Sequence, residues 1–290
     1  MKVLMIGATG TFAGAVVPAL TRRGVTVRAL IRDESRSSLA FSRGASEVAV
    51  GDLTDRRSLL AAAGGVDGVF HLNPAFAADE AELGVNMVAA AKAAGVGKFV
   101  FSSVIHPSLS SMINHAAKQP VEEALYESGL DYTVLQPAMF MQILAGAWPA
   151  ILQNGQITLP FSKHSKMAFV DFRDVADVAA TAFTTNVLSR GTFELCAPGM
   201  VDRVDIAHLI SDAIGRTITA GEVDVQRWAA TAPIPPGPFR DGLIAMNIHY
   251  DRYGLAGGNA LVLRAALDRE PRTLRQYFAE LAAATPQQDT

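Results

Sequence analysis

The feature that most constrains this chain is a glycine-rich run placed directly after a short apolar segment at the N-terminus. Residues 2–6 (Lys-Val-Leu-Met-Ile) read as a fully buried parallel strand. Gly7-Ala-Thr-Gly10-Thr-Phe-Ala-Gly14 follows at once, and Val16, Val17 and Leu20 then mark one face of a helix over 14–23, stopped by Gly24. A strand, a glycine turn and a helix in that order form a pyrophosphate cradle. The first glycines permit the tight turn, so that backbone N–H groups and the helix start face an anion, and Ala13 or Gly14 lets helix and strand pack closely. Gly7, Thr9, Gly10, Thr11 and Phe12 are the candidate contacts of this turn.

The remainder repeats the strand–helix alternation. Further strands are expected at 25–31, 48–50, 68–72, 98–102 and 132–135, separated by helical stretches at 59–63, 80–94 and 122–128. This is the pattern of an α/β chain with a doubly wound parallel sheet. After Pro137 the pattern loosens. A helix at 171–183, a strand at 192–195 and helices at 206–214, 261–267 and 274–281 are expected. Residues 232–238, with four prolines, read as a rigid loop that can be neither helix nor central strand. The expected division is a dinucleotide-binding core over 1–137, completed by about 166–198, with a smaller substrate-covering lobe from 138–165 and 199–290. The last six or so residues read as a frayed tail.

Composition narrows the functional classes. Half of the 290 residues are hydrophobic and 18% are charged, which excludes a disordered chain. The net charge of −3, with both signs mixed along the chain, offers no basic stripe for nucleic acid. Cys196 is the single cysteine, and the six histidines show no metal-ligand spacing, so no metal site is expected. No run of ~18 apolar residues suggests a membrane span, and the glycines and threonines within 7–14 argue against a secretory signal. A soluble cytoplasmic protein, with no direct nucleic-acid or membrane partner, is the expectation.

Ligand contacts should gather at the carboxyl ends of the strands. Arg32 stands at the end of the second strand, where an acidic residue would hold a ribose 2′-hydroxyl. A guanidinium there suits a 2′-phosphate instead, favouring NADP(H) over NAD(H), unless Arg32 is simply a solvated strand end. Asp33 and Glu34 would oppose a phosphate if they pointed inward. Asp52, with Leu53, follows the third strand and can accept from an adenine amino group or serve as a turn or cap. Asn73 and Pro74 lie at the same edge after the fourth strand, and Ser102 and Ser103 end the fifth.

With these residues in view, the chain resembles the NmrA-like atypical short-chain dehydrogenase/reductase family. The resemblance rests on Gly7 to Gly14, Arg32, Gly51-Asp-Leu53, Phe99-Val-Phe-Ser-Ser103, Lys118, Ser128 to Leu135 with Pro137, Phe169 to Ala176 and Asp268 to Leu274. It implies a Rossmann-like core, bound NADP, a smaller C-terminal lobe, and Lys118 on the nicotinamide ribose. The family includes NADPH-dependent quinone, dye and phenolic-ether reductases, and NADP-sensing regulators.

The departures shape the chemistry. Typical short-chain dehydrogenases carry Tyr-x-x-x-Lys, with the phenol as proton donor. Here Asn114 stands four residues before Lys118. Lys118, Asn114, Ser103 and His106 are the candidate catalytic groups, with His115 as a further protic neighbour. Plain surface or loop roles are the alternative for the histidines, and a solvated helix position is the alternative for Lys118. Gln136 replaces the arginine that relatives often carry before the proline. A quinone tolerates a missing phenol, because its reduced oxygen is a comparatively acidic phenol and hydride transfer can rest on proximity. Met139, Phe140 and Trp148 can line an apolar acceptor pocket, or equally be core. The expectation is an NADPH-dependent reductase of a small apolar carbonyl acceptor, with a quinone as the leading class. The alternatives are an NADP(H)-sensing regulator acting through a protein partner and, behind it, an isomerase or epimerase. A homodimer fits either of the first two.

Overall fold

The structure is a computed structural model that describes residues 1–285; the expected frayed tail, but for Thr285, lies outside the described residues. The chain begins β1 (Lys2–Met5), α1 (Val16–Thr21), β2 (Thr26–Ile31), α2 (Ser37–Ser42), β3 (Glu47–Val50) and α3 (Arg56–Ala63). It continues β4 (Gly68–Leu72), α4 (Glu80–Ala93), β5 (Lys98–Ser102), α5 (Ile113–Ala116), α6 (Gln119–Ser128) and β6 (Asp131–Pro137). Then come β7 (Met139–Phe140), α7 (Trp148–Asn154), β8 (Gln156–Leu159), β9 (Phe169–Val170), α8 (Phe172–Thr184) and β10 (Gly191–Leu195). The end of the chain is α9 (Arg203–Ile214), β11 (Thr219–Glu222), α10 (Val225–Thr231), α11 (Pro238–Tyr253), α12 (Leu261–Leu267) and α13 (Leu274–Ala284).

Two compact units result: Met1–Pro137 with Phe172–Leu195, and Ala138–Asp171 with Cys196–Thr290. In the first, seven strands form one sheet in the order β10-β6-β5-β4-β1-β2-β3, every pair parallel. The expected doubly wound α/β sheet is thus present. Its central strands are apolar on both faces because both faces are covered. Val3, Leu4, Met5, Val69, Phe70, Phe99 and Phe101 are almost fully buried. On one face Leu59, Met87, Val88, Ala91, Val121 and Leu125, from α3, α4 and α6, pack onto Phe99 and Phe101. Each of the larger side chains, the leucines, valines, methionine and phenylalanines, contributes about 1.5–3 kcal/mol through burial. The strand order reverses where β1 pairs with both β2 and β4. That switch point opens a crevice beyond the carboxyl ends of the strands.

The second unit is built from short pieces. β8 pairs with β11 and β7 with β9, both parallel. Trp148 stacks on Phe278 with ring centroids 6.1 Å apart and donates from Nε1 to Thr285 Oγ1 at 2.9 Å.

Local expectations fail in two places, each for a physical reason. The first helix is not continuous over 14–23. A 3-10 turn, Ala13–Ala15, leads into a six-residue α1. Pro18 falls in its first turn, where its missing N–H is harmless. The loop expected over 232–238 ends one residue early, because Pro238 is the first residue of the 16-residue α11. At that position the missing N–H is one the helix cannot pair anyway.

Candidate functional site

The loops beyond β1, β2, β3 and β4 enclose a cavity of about 780 Å³. Its floor is the glycine turn. Gly7 adopts φ +77°, and a Cβ there would stand 3.1 Å from the Cβ of Ala13. At Gly14 a Cβ would meet the Ala8 carbonyl oxygen at 2.8 Å, so only glycine allows the chain to close on itself here. The Gly10 N–H donates to Gly7 O at 2.8 Å and the Gly14 N–H to Gly10 O at 3.2 Å. The turn therefore holds itself, with Thr9 and Thr11 on the cavity wall. Phe12 lies on the same wall, its ring centroid 5.8 Å from that of Phe172.

Ten of the sequence-predicted cofactor residues line this one cavity. Gly7, Thr9, Gly10, Thr11 and Phe12 come from the loop after β1, Arg32 from the end of β2, Asp52 and Leu53 from beyond β3, and Asn73 and Pro74 from beyond β4. Ser102 and Lys118 are absent from its lining. Arg36, which sequence reasoning passed over, joins Arg32 in the wall. It stands in the 3-10 turn Glu34–Arg36 that Asp33 caps.

Asp33 and Asp52, two of the carboxylates in the cavity wall, are hydrogen-bonded within their own turns, and Glu34 is not in the lining. Asp33 accepts from the Ser35 N–H at 3.0 Å and from the Ser35 hydroxyl, and that side-chain bond, opposed by partial desolvation, holds its carboxyl below the usual range. Asp52 Oδ1 accepts from the Thr54 N–H at 2.8 Å and from Thr54 Oγ1 at 2.7 Å, which lowers its pKa; Arg32 adds to the effect. Asp52 is a turn residue, and the cap of α3 is Asp55 instead.

Behind the cavity lies a buried polar chain. Asn73 donates from Nδ2 to Glu80 O at 3.0 Å and faces His71 Nε2 through Oδ1. His71 must therefore donate from Nε2, which leaves Nδ1 a bare lone pair, buried and without a partner. Burial pushes His71 down to about 4, so the ring is neutral. Glu80 Oε2 accepts from the Phe76 N–H at 2.7 Å, pinning a loop in which Phe76 adopts φ +64°. Glu80 Oε1 accepts from Lys118 Nζ, and the two side chains are only 2% and 6% exposed. Gly84 makes room for this arrangement, since a Cβ would stand 2.8 Å from Asn73 Oδ1.

Lys118 is thus a buried ion-paired residue that also donates to Asn114 O at 3.1 Å, which removes the reading of a solvated lysine. Burial lowers its pKa, and the Glu80 charge works against that. Asn114 keeps its Oδ1 buried and unpartnered. Ser103 donates its only hydroxyl proton to Glu122 Oε1 at 2.5 Å, so in this arrangement it offers lone pairs rather than a proton. Gln136 Nε2 donates to both Glu122 oxygens, at 2.9 and 3.1 Å, and the Tyr126 hydroxyl donates to Oε2 at 3.1 Å. Ser102 is fully buried, and its Oγ has no partner. His106 adopts φ +54°, and its Nδ1 lies 3.7 Å from Glu194 Oε1. Its carbonyl accepts from His115 Nδ1 at 3.2 Å, and burial lowers His115 to about 4.

The residues expected to line an acceptor pocket divide differently. Trp148 is 6% exposed and packed within the second unit, while Met139 and Phe140 form the half-buried β7. The second unit has its own cavity of about 310 Å³, walled by Met141, Phe169, Leu209 and Leu274 with Thr273 and Arg275 at its edge. Met139, Phe140 and Trp148 are not in that wall. Among the described residues no group of histidine, cysteine and carboxylate side chains could hold a metal ion, and no helix is long and apolar enough to cross a membrane.

Comparison with known proteins agrees with this architecture. An NAD(P)H azoreductase of Xenophilus azovorans is 31% identical over 288 residues, covering 97% of either chain. A (4-alkanoyl-5-oxo-2,5-dihydrofuran-3-yl)methyl phosphate reductase of Streptomyces griseus is 29% identical over 290 residues, covering 97% of this chain and 98% of its own. The crystal structure of the Escherichia coli NADPH-dependent quinone oxidoreductase QOR2 with NADPH shares the fold, with a TM-score of 0.84 at 22% identity, covering 97% of this chain and 99% of that one. The NmrA-like family model matches residues 1–278. The chain belongs to the NmrA-like family.

Proposed function

We propose that the protein is an NADPH-dependent reductase that passes hydride directly to a small apolar carbonyl acceptor, with quinones as the acceptor class. The observation that carries this reading is the cavity in which the glycine turn is joined by two guanidinium groups, Arg32 and Arg36. The residues fit a dinucleotide diphosphate: the turn closes only with glycines at 7 and 14, and Thr9 and Thr11 line the space. Arg32 and Arg36 would hold a 2′-phosphate, while the Asp33 carboxylate beside them is engaged by Ser35 at the cap of the 3-10 turn. Asn73 and Pro74 would border the nicotinamide end. Asp52 and Leu53 would border the adenine. A bound reduced nicotinamide supplies the hydride.

The chain's own residues support an acceptor that needs little acid help. No phenol precedes Lys118, Lys118 is neutralised by Glu80, and Ser103 donates its proton to Glu122. A quinone suits such a site because its reduced oxygen is itself a stable, weakly basic anion. Asn114, His106 and Ser103 are left as candidate hydrogen-bonding neighbours of the acceptor oxygen. The relatives matched over nearly the whole chain are reductases, which favours turnover over a purely sensory role.

The test is NADPH consumption, followed by absorbance, with quinones, azo compounds and aldehydes as alternative acceptors. Quinone-dependent oxidation is expected, with NADPH preferred over NADH. Arg32→Ala combined with Arg36→Ala should lower that preference about tenfold or more while leaving NADH affinity within twofold. Oxidation by none of the acceptors overturns the reductase reading. Equal use of the two dinucleotides by the unaltered protein overturns the assignment of the two arginines.

A further inference from the structure

Arg43 reaches the glycine turn from behind. It caps the C-terminal end of α2, 35 residues away from Ala8 in the chain, and is not among the residues lining the cavity. Its guanidinium donates to Ala8 O at 2.9 Å and, from the same nitrogen, to Gly10 O. It occupies the space a side chain at position 14 would need: a Cβ on Gly14 would fall 2.8 Å from the guanidinium carbon. The third glycine of the motif therefore admits an arginine as well as a close strand–helix contact.

The helix after the turn makes this contact consequential. A long helix would offer aligned N–H groups and a fractional positive charge to a diphosphate. Here the turn leads into three residues of 3-10 helix and only six of α-helix, with a proline in the first turn. Such a short element supplies little of that potential, since the macrodipole sums over aligned peptide units. A guanidinium behind the turn supplies a full positive charge in its place. By donating to the Ala8 and Gly10 carbonyls it also offsets the negative ends of two dipoles that would repel an anion.

We infer that Arg43 is a positioning residue for the diphosphate: it fixes the carbonyls of the glycine turn and adds the positive potential that the truncated first helix lacks. The inference rests on the dinucleotide reading of the cavity. It assigns to Arg43 a role in binding either dinucleotide, distinct from the NADPH preference assigned to Arg32 and Arg36.

The experiment is calorimetric titration of the unaltered protein, Arg43→Met and Arg43→Lys with NADPH, NADH and adenosine 2′-phosphate, the last of which has no diphosphate. Thermal unfolding of each variant runs alongside. In Arg43→Met, affinity for NADPH and for NADH should fall by the same factor, about tenfold. Adenosine 2′-phosphate should stay within twofold, and Arg43→Lys should recover most of the loss by restoring the charge. Unchanged dinucleotide affinity in Arg43→Met overturns the inference, as does a loss confined to NADPH. A parallel loss for adenosine 2′-phosphate also overturns it, by showing general damage to the unit. If the unaltered protein binds neither dinucleotide, the cavity reading itself fails, and that result is separable because it appears before any substitution is made.

Discussion

Two glutamates are buried in the first unit, and they are stabilised in opposite ways. Glu80 is held by a cation, Lys118, together with the Phe76 N–H. Glu122, one helical turn beyond Lys118, is held by neutral donors from Ser103, Gln136 and Tyr126. Both solve the problem of a polar group out of water, yet they fail differently. Loss of the Glu80 charge strands a buried ammonium, whereas loss of the Glu122 charge leaves only unpaired dipoles. Lys118, expected to serve the cofactor, is paired with a carboxylate inside the protein, and Ser103, one of the candidate catalytic groups, is the partner of another carboxylate.

The largest effect should come from breaking the charged side. Glu80→Gln is expected to destabilise the protein by about 3–5 kcal/mol, because it leaves Lys118 buried and uncompensated. Adding Lys118→Met to that variant should recover a large part of the loss, read from urea unfolding midpoints. If the double variant is as unstable as the sum of the single ones, the ion pair is not what holds this region.

Breaking the neutral side should cost less. In Glu122→Gln the new amide group faces a Gln136 nitrogen that is itself a donor, with an expected cost of about 1–3 kcal/mol. The same unfolding measurement decides the matter: a cost equal to that of Glu80→Gln would erase the distinction between the two sites.

A pH-dependent effect separates the surroundings. His71 and His115 are kept neutral by burial, with the Lys118 charge adding to it, and both titrate near 4 against an ordinary 6.5. Between those values the unfolded chain binds protons that the folded one does not. Stability should therefore be complete above about pH 6.5 and fall as pH drops toward about 4, by up to about 1.4 kcal/mol per unit for each histidine. Below about 4 these two groups contribute no further slope. His115→Gln should remove about half of the slope; unfolding midpoints at pH 7 and 5 with an unchanged difference would exclude His115 as a contributor.

What could be read in the linear sequence was what neighbouring residues decide between themselves. Gly7 to Gly14 needs only local backbone geometry to declare a turn, and strands such as Gly68–Leu72 and Lys98–Ser102 declare themselves by short, mostly apolar runs. Arg32, Asp52 and Asn73 follow from one further rule, that residues at the carboxyl ends of parallel strands share a crevice. Helices α10 and α11 were not legible, because prolines at 233, 235, 236 and 238 hide a helix that starts on the last of them.

The partners were illegible for a different reason. Lys118 meets a glutamate 38 residues away, Arg43 a carbonyl 35 residues away, and Ser103 a glutamate 19 residues away. No periodicity or motif links such positions, since only the packing of α4 and α6 against the sheet and the return of α2 toward the first turn bring them together. Local sequence was enough to specify the doubly wound sheet, the edge at which a ligand would gather and the glycine turn that opens it. The tertiary structure alone decided which charges are satisfied inside the protein and which remain for a ligand, because a side chain's electrostatic role depends on distance through space and on the water removed around it.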